Sequence, residues 1–387
     1  MARWILARLG PLAIVGVLAG WLAAPALADW KLNSTSTTSV AYNQGMTFDG
    51  VGSFYFDGVS STSNSAIYRT SSSLSRTGSN TAVIPATKEG YNHAGDLSFD
   101  PSQGRLLLPL ECYYPNSTPS NTCGSGAFGV VDPKTLAFQY YVRLWTPQIQ
   151  KAMWDEISPD GRWIWTSSGT HLLAYNAANV NQQTADNQRA GVWGGLGGTD
   201  LGSVLPTSNV TGAAFYAGRL FLALDRGTYF QVVSYGVGSA SDGSPTLLSA
   251  TPTVEITVTK SSSNSESEGL TATAALNGSY PLGGLLHWQM LPSIKLYSRI
   301  LNYVVTAPGS GSSIVRSVAA RCVVPKLANR TRKSANTLLR AAHCRLGSVT
   351  TKHASRSRRG RVIAQKPEPG AVLPLNARVT LVLGRRR

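Results

Sequence analysis

Between residues 30 and 305 the apolar positions come in short runs broken by Gly, Pro, Asn and Ser, with no long helical stripe. Five times a glycine, three times followed by Arg, introduces a run rich in aromatic and aliphatic residues: Gly52-Ser53-Phe54-Tyr55-Phe56, Gly104-Arg105-Leu106-Leu107-Leu108, Gly161-Arg162-Trp163-Ile164-Trp165, Gly218-Arg219-Leu220-Phe221-Leu222 and Gly284-Leu285-Leu286-His287-Trp288. Runs of this kind bounded by turn residues read as strands. A second short apolar segment precedes each glycine, as in Asp96-Leu97-Ser98-Phe99-Asp100-Pro101 and Glu156-Ile157-Ser158-Pro159-Asp160. Pro fixes φ and Gly accepts positive φ, so the junctions are turns and each unit opens as a hairpin. Further strands follow, such as His171 to Tyr175 and Thr228 to Val233.

The five glycines recur at intervals of 52, 57, 57 and 66 residues. A period of that size with roughly four strands and no amphipathic helix predicts a mainly β fold, a five-bladed β-propeller, or a six-bladed one if a unit is missed. A β-sandwich or a β-helix is the alternative. The last repeat is one strand short, and Trp30 to Tyr42 has strand-like residues that can complete it from the N-terminal side.

Residues 321–387 follow another pattern. Cys322-Val323-Val324-Pro325 reads as a short strand, and Ala335, Leu338, Leu339 and Ala342 share one face of a helix over 334–343. Strands are expected at 361–365 and 377–383, around a proline-pinned turn at 366–370. The division of the chain is therefore 1–28, 29–305, a Gly/Ser linker at 306–320 containing Pro308-Gly309-Ser310-Gly311-Ser312-Ser313, and 321–387.

Charge sharpens that division. The formal net charge is +16 although only 14% of residues are charged. Of the 35 Lys and Arg, 17 lie in 321–387, together with one of the 19 Asp and Glu, Glu368. The preceding region is nearly neutral, so the charge belongs to the small module. A hydrophobic content of 42% excludes a wholly disordered chain.

The first 28 residues combine Arg3 and Arg8, an apolar run from Leu9 to Ala24 and the small-residue ending Pro25-Ala26-Leu27-Ala28. That is the pattern of a secretory signal peptide, with an uncut anchor as the alternative, and no later run is long enough to span a membrane. An exported chain retains disulfides, and the four cysteines fall into local pairs, Cys112 with Cys123 and Cys322 with Cys344. The protein is expected to be secreted and associated with the cell envelope.

Residues just ahead of each opening strand of a propeller face its axis, which makes them candidates for chemistry. His93, Asp96, Asp155, Glu156, Glu266 and Glu268 occupy such positions. Asp96, Asp155, Glu156 and Glu268 are candidate calcium ligands, since that ion takes six to eight oxygens in irregular geometry. His93 is the candidate general base of a calcium-dependent hydrolase of the lactonase or esterase kind. Strand-end caps or solvent-facing carboxylates are the plainer reading of the same acids. Trp145, Trp154, Trp163, Trp165, Trp193 and Trp288 offer stacking platforms for sugars, or packing between sheets. No Gly-x-Ser-x-Gly elbow, HExxH motif or phosphate-cradling loop occurs.

Two resemblances add to these readings. The phrases Asn92-His93-Ala94-Gly95-Asp96-Leu97-Ser98-Phe99, Pro109-Leu110-Glu111 and Glu266-Ser267-Glu268-Gly269-Leu270 loosely resemble secreted bacterial lactonase-like, gluconolactonase-like and phytase-like propellers. The pieces Val323-Val324-Pro325-Lys326-Leu327, Leu338-Leu339, Cys344 to Val349, Val362 to Pro367 and Pro369-Gly370 resemble the PASTA domain, an extracellular module of penicillin-binding proteins and Ser/Thr kinases. It departs from that pattern at Asn329 and Arg332. The second resemblance implies contact with peptidoglycan or anionic wall glycans, with Lys326, Arg345, Arg358 and Arg359 as candidate ligand-binding residues. Nucleic acid, the rival polyanion, is disfavoured by export and by the lack of aromatic residues in the module.

Overall fold

The computed structural model describes residues 29–61, 64–86, 89–113, 123–276, 278–293, 296–306, 322–342, 344–369, 371–373 and 376–385. The expected signal peptide and the linker beyond residue 306 lie outside them. The first strand, β1 (Asp29–Ser39), belongs to the last sheet. Four sheets then follow in chain order: β2 (Gly45–Phe48), β3 (Ser53–Ser61), β4 (Asn64–Ser71) and β5 (Arg76–Asn80); β6 (His93–Ala94) with β7 (Ser98–Asp100), β8 (Arg105–Glu111), β9 (Ala127–Val131) and β10 (Phe138–Arg143); β11 (Glu156–Ile157), β12 (Trp163–Ser168), β13 (His171–Asn176) and β14 (Thr199–Ser203); and β15 (Val210–Tyr216), β16 (Arg219–Asp225), β17 (Tyr229–Ser239), β18 (Pro245–Leu247) and β19 (Thr253–Thr259). The fifth holds β20 (Glu266–Ala272), β21 (Leu286–Leu291) and β22 (Tyr297–Thr306), with β1 antiparallel to β22 in the register Thr35↔Leu301. The N-terminal segment thus supplies the strand that the last repeat lacks.

The innermost strands meet in a closed cycle: β2 against β7, β7 against β11, β11 against β15, β15 against β20, and β20 against β2. The five glycines each lead into the second strand of a sheet, and Gly52, Gly104, Gly161 and Gly218 have the positive φ that the repeat predicts. Apolar packing follows the same cycle. Five buried clusters form, each between two neighbouring sheets, for example Tyr55 and Ile67 with Leu106 and Leu108, or Trp154 and Trp165 with Leu220 and Leu222. A sandwich would place one core between two sheets. This propeller-like ring has an apolar layer at each junction, and truncating a fully buried Trp such as Trp154 or Trp288 would remove about 3–5 kcal/mol.

Within the ring, a helix departs from the sequence expectation. A short helix, α1 (Gln182–Arg189), interrupts the third sheet between β13 and β14, capped by Asn181, whose side chain accepts from Thr184 N–H at 2.9 Å. Its sequence is polar, so no apolar stripe announces it.

The C-terminal module contains β23 (Cys322–Val323), α2 (Arg332–Ala341), β24 (Arg345–His353), β25 (Val362–Lys366), β26 (Val372–Leu373) and β27 (Arg378–Arg385). The expected strand–helix–strand–strand order omitted β24 and β26. β24 pairs parallel to β27 and is mostly exposed, and its polar run hides it from an apolar-pattern reading. Thr331 caps α2, accepting from Ser334 N–H at 3.2 Å, and Arg332 is an exposed first-turn residue rather than a core position. Val324, Leu327, Ala335, Leu339, Val362, Val379 and Leu381 form the small core. Both expected disulfides are present, Cys112–Cys123 and Cys322–Cys344. The module meets the ring at the β7–β8 turn, where Lys326 N–H donates to Ser102 O at 3.2 Å and Arg330 to Gln103 O at 3.4 Å.

Candidate functional site

One buried side chain joins three of the innermost strands. Between β6 and β7 the chain leaves its pairing with β8, and Asp96 forms a parallel bridge to Trp154. Asp96 N–H donates to Met153 O at 3.1 Å and its carbonyl accepts from Asp155 N–H at 3.0 Å. Its carboxylate, 1% exposed, accepts from Met46 N–H at 2.9 Å, Ala213 N–H at 2.9 Å and Leu270 N–H at 3.3 Å. Those donors lie on β2, β15 and β20, so one aspartate ties all five sheets together. The approach demands residues without a Cβ: at Gly95 it would fall 1.8 Å from Met153 O, and at Gly269 2.4 Å from Met46 N.

Other acids surround this hub. Asp57, fully buried on β3, has neither carboxyl oxygen hydrogen-bonded, and burial pushes its pKa well up, helped by Asp155. Burial also raises Asp155, to about 7, against the lowering effect of the Ser98 hydroxyl at 2.5 Å. Partly buried Glu156 is raised by desolvation and then by Asp96, while its Oε1 accepts from Phe215 N–H at 3.2 Å. For Asp96 desolvation raises the pKa against the opposing pull of its backbone donors. Glu268 lies half-buried on β20.

Three of the four candidate calcium ligands, Asp96, Asp155 and Glu156, lie close enough to influence one another's ionisation, and Glu268 stands on the neighbouring strand β20. A hard cation needs free oxygen lone pairs converging on it, and the Asp96 oxygens already face backbone N–H groups. Among the described residues no three His, Cys, Asp or Glu side chains are grouped to hold a metal ion. Sequence reasoning overlooked Asp57, which directly follows the aromatic run Phe54-Tyr55-Phe56; a lone acid after such a run was its only signal.

His93 opens β6, three residues before Asp96, and pairs across to Glu111 on β8. Its Nδ1 is 2.9 Å from Glu111 Oε1, out of line for a hydrogen bond, and Lys151 Nζ is 3.9 Å from the other Glu111 oxygen. The Tyr113 ring packs at 5.3 Å. His287 is a satisfied core histidine: burial lowers its pKa to about 4, and Asn302 and Thr273 bond its two nitrogens at 2.8 and 3.0 Å.

On the module the candidate ligand-binding residues are dispersed. Arg345 opens β24 and bonds Asn376 Oδ1 at 3.1 Å. With Asn336, Arg340 and Asn376 it lines a depression of about 490 Å³. Arg358 and Arg359 follow the far end of that nine-residue strand, roughly 25 Å away at the usual rise per residue. Lys326 lies beside the ring. These groups create a broad positive field rather than one pocket. Arg340 and Asn336, which join Arg345, were missed by sequence reading, although their i, i+4 spacing on α2 places them on one helix face.

Comparison with known proteins agrees with the module's architecture. Residues 323–385 match the PASTA domain family model. No curated protein matches the chain. Solved structures similar to it include the Myxococcus xanthus glutaminyl cyclase, at 11% identity and a TM-score of 0.43, covering 72% of this chain and 97% of that one. The GH43 endo-arabinanase from Bacillus licheniformis aligns at 14% identity and a TM-score of 0.44, covering 70% and 97%. A Bacteroides uniformis protein described as a putative 6-phosphogluconolactonase aligns at 10% and 0.34, covering 67% and 66%.

Proposed function

We propose that the protein is a secreted, envelope-associated binding protein: a five-bladed propeller presents a ligand surface, and the PASTA module contacts peptidoglycan or anionic wall polymers. The observation that carries this reading is the distribution of charge over a recognised wall-associated module. With 17 basic residues and one acid in 321–387, the module cannot neutralise its own field, and a polyanion can. Two disulfides fit an oxidising, extracellular setting, and among the described residues no helix is long and apolar enough to cross a membrane. The axial aspartate and its backbone donors support a structural rather than a hydrolytic role for the ring centre.

Pulldown on purified cell walls tests this. The full chain is expected to be retained, with retention falling as salt is added, and deletion of 321–387 should abolish the salt-sensitive part. Equal retention of the deleted form would overturn the tether.

A further inference from the structure

The tertiary structure sorts the tryptophans that the sequence left open. Trp154, Trp165 and Trp288 are completely buried, whereas Trp145 and Trp193 remain 51% and 50% exposed. Trp145 follows β10 and Trp193 follows α1, at the outer edge of the second and third sheets. Their two segments are fastened to each other: Leu196 N–H donates to Arg143 O at 2.8 Å and Trp145 N–H to Leu196 O at 2.9 Å. The buried Gln188 braces both. It accepts from Arg143 N–H at 2.8 Å and donates to Arg143 O and Gly194 O, each at 2.9 Å. The backbone that carries both indoles is therefore held in a fixed frame.

Beside that frame lies a cavity of about 530 Å³, lined among others by Glu89, Tyr140, Tyr141, Arg143, Gln188 and Arg189. Its volume is that of a small-ligand site. Its charges are already compensated. Glu89 lies 3.6 Å from Arg143 and accepts from the Tyr141 hydroxyl at 2.5 Å, and Arg189 pairs with Asp186. What remains for a ligand is a set of hydroxyl, amide and paired-ion groups without net charge, and the two half-exposed indoles, which do not line the cavity, stand on the segments that its residues Arg143 and Gln188 tie together. An anion gains little there, and a purely apolar ligand would strand the polar groups. A sugar ring has both the apolar face and the hydroxyls that such a surface matches.

We propose that this edge of the ring binds an uncharged glycan chain, with Trp145 and Trp193 as stacking platforms and the adjoining cavity taking a sugar ring. The site is argued from these residues alone, and only the choice of probe rests on the envelope reading above.

Titration of the full-length protein with a β-1,4-linked N-acetylglucosamine tetramer, followed by tryptophan fluorescence and calorimetry, tests it. Saturable binding that persists in high salt is expected. Trp145→Ala and Trp193→Ala should each weaken it by about fivefold or more, Trp193→Tyr should retain most of it, and unchanged thermal melting will show that the variants fold. Absence of binding by the wild type, or wild-type affinity in both alanine variants, would overturn the site. Salt-sensitive wall retention through the module is a separate readout, so either reading can fail without the other.

Discussion

The ring and the C-terminal module both order short strands, but by opposite means. The ring has five apolar layers and turns carboxyl groups inward, where Asp96 accepts three backbone N–H bonds and Asp57 and Asp155 sit fully buried. The module has one small core, a disulfide across it, and basic side chains over its surface. Burying acids is affordable where many layers of packing hold the strands, and there it fixes geometry. A module of some 65 residues has no such reserve. The contrast teaches that many packed layers can hold carboxyl groups inside, whereas a small module keeps its charged groups at the surface.

The sharpest way to break the comparison is Asp96→Ala. It leaves three buried N–H donors without an acceptor, at about 1–3 kcal/mol each, so a loss on the order of 5 kcal/mol is expected. The module contains no Trp, Tyr or Phe, which makes tryptophan fluorescence during denaturant unfolding a report on the ring alone. A variant ring as stable as the wild type would show that the axial bonds do not hold the sheets together.

Next comes pH. Burial raises the Asp155 pKa from the ordinary carboxylate range to about 7. A carboxyl raised on folding contributes stability that is fully present below its unfolded pKa and lost as pH rises through the folded one. Between about pH 4 and 7 the ring should therefore lose stability from this group, at most about 1.4 kcal/mol per pH unit. Asp155→Asn should flatten that slope when melting is compared across the window. An unchanged slope in the variant would mean that Asp155 is already ionised in the folded ring across that window.

The smallest effect expected is on the module. Replacing Cys322 and Cys344 by Ser opens a bridge spanning 22 residues and should cost about 3 kcal/mol. Methyl NMR of the module's Val and Leu residues would register the loss while the ring's fluorescence transition stays in place. If that transition falls as well, the contacts of Lys326 and Arg330 with the β7–β8 turn couple the two regions.

Much of the ring was legible because its signals are local. A glycine turn, the apolar run after it and their recurrence are written in adjacent residues, as are the spare strand at Trp30 to Tyr42 and the pairing of nearby cysteines. Elements without an apolar pattern escaped: α1 is polar and held by its cap and Gln188, and β24 is an exposed strand that exists because β27 pairs with it. The candidate site was legible as a set of residue types and not as an arrangement. Asp96, Asp155 and Glu156 were identifiable as axial acids, yet whether their oxygens meet an ion or an amide depends on what other sheets bring to them.

By itself, then, the sequence determined the repeat, the basic module and the separation of charge between them, since periodicity and composition need only neighbouring residues. The tertiary structure alone decided that Asp96 is a hub and that Trp145 and Trp193 stay in water while Trp154 and Trp288 do not. The reason is distance along the chain. The donors to Asp96 stand 50, 117 and 174 residues away, and no local pattern records which of them closure of the ring will deliver.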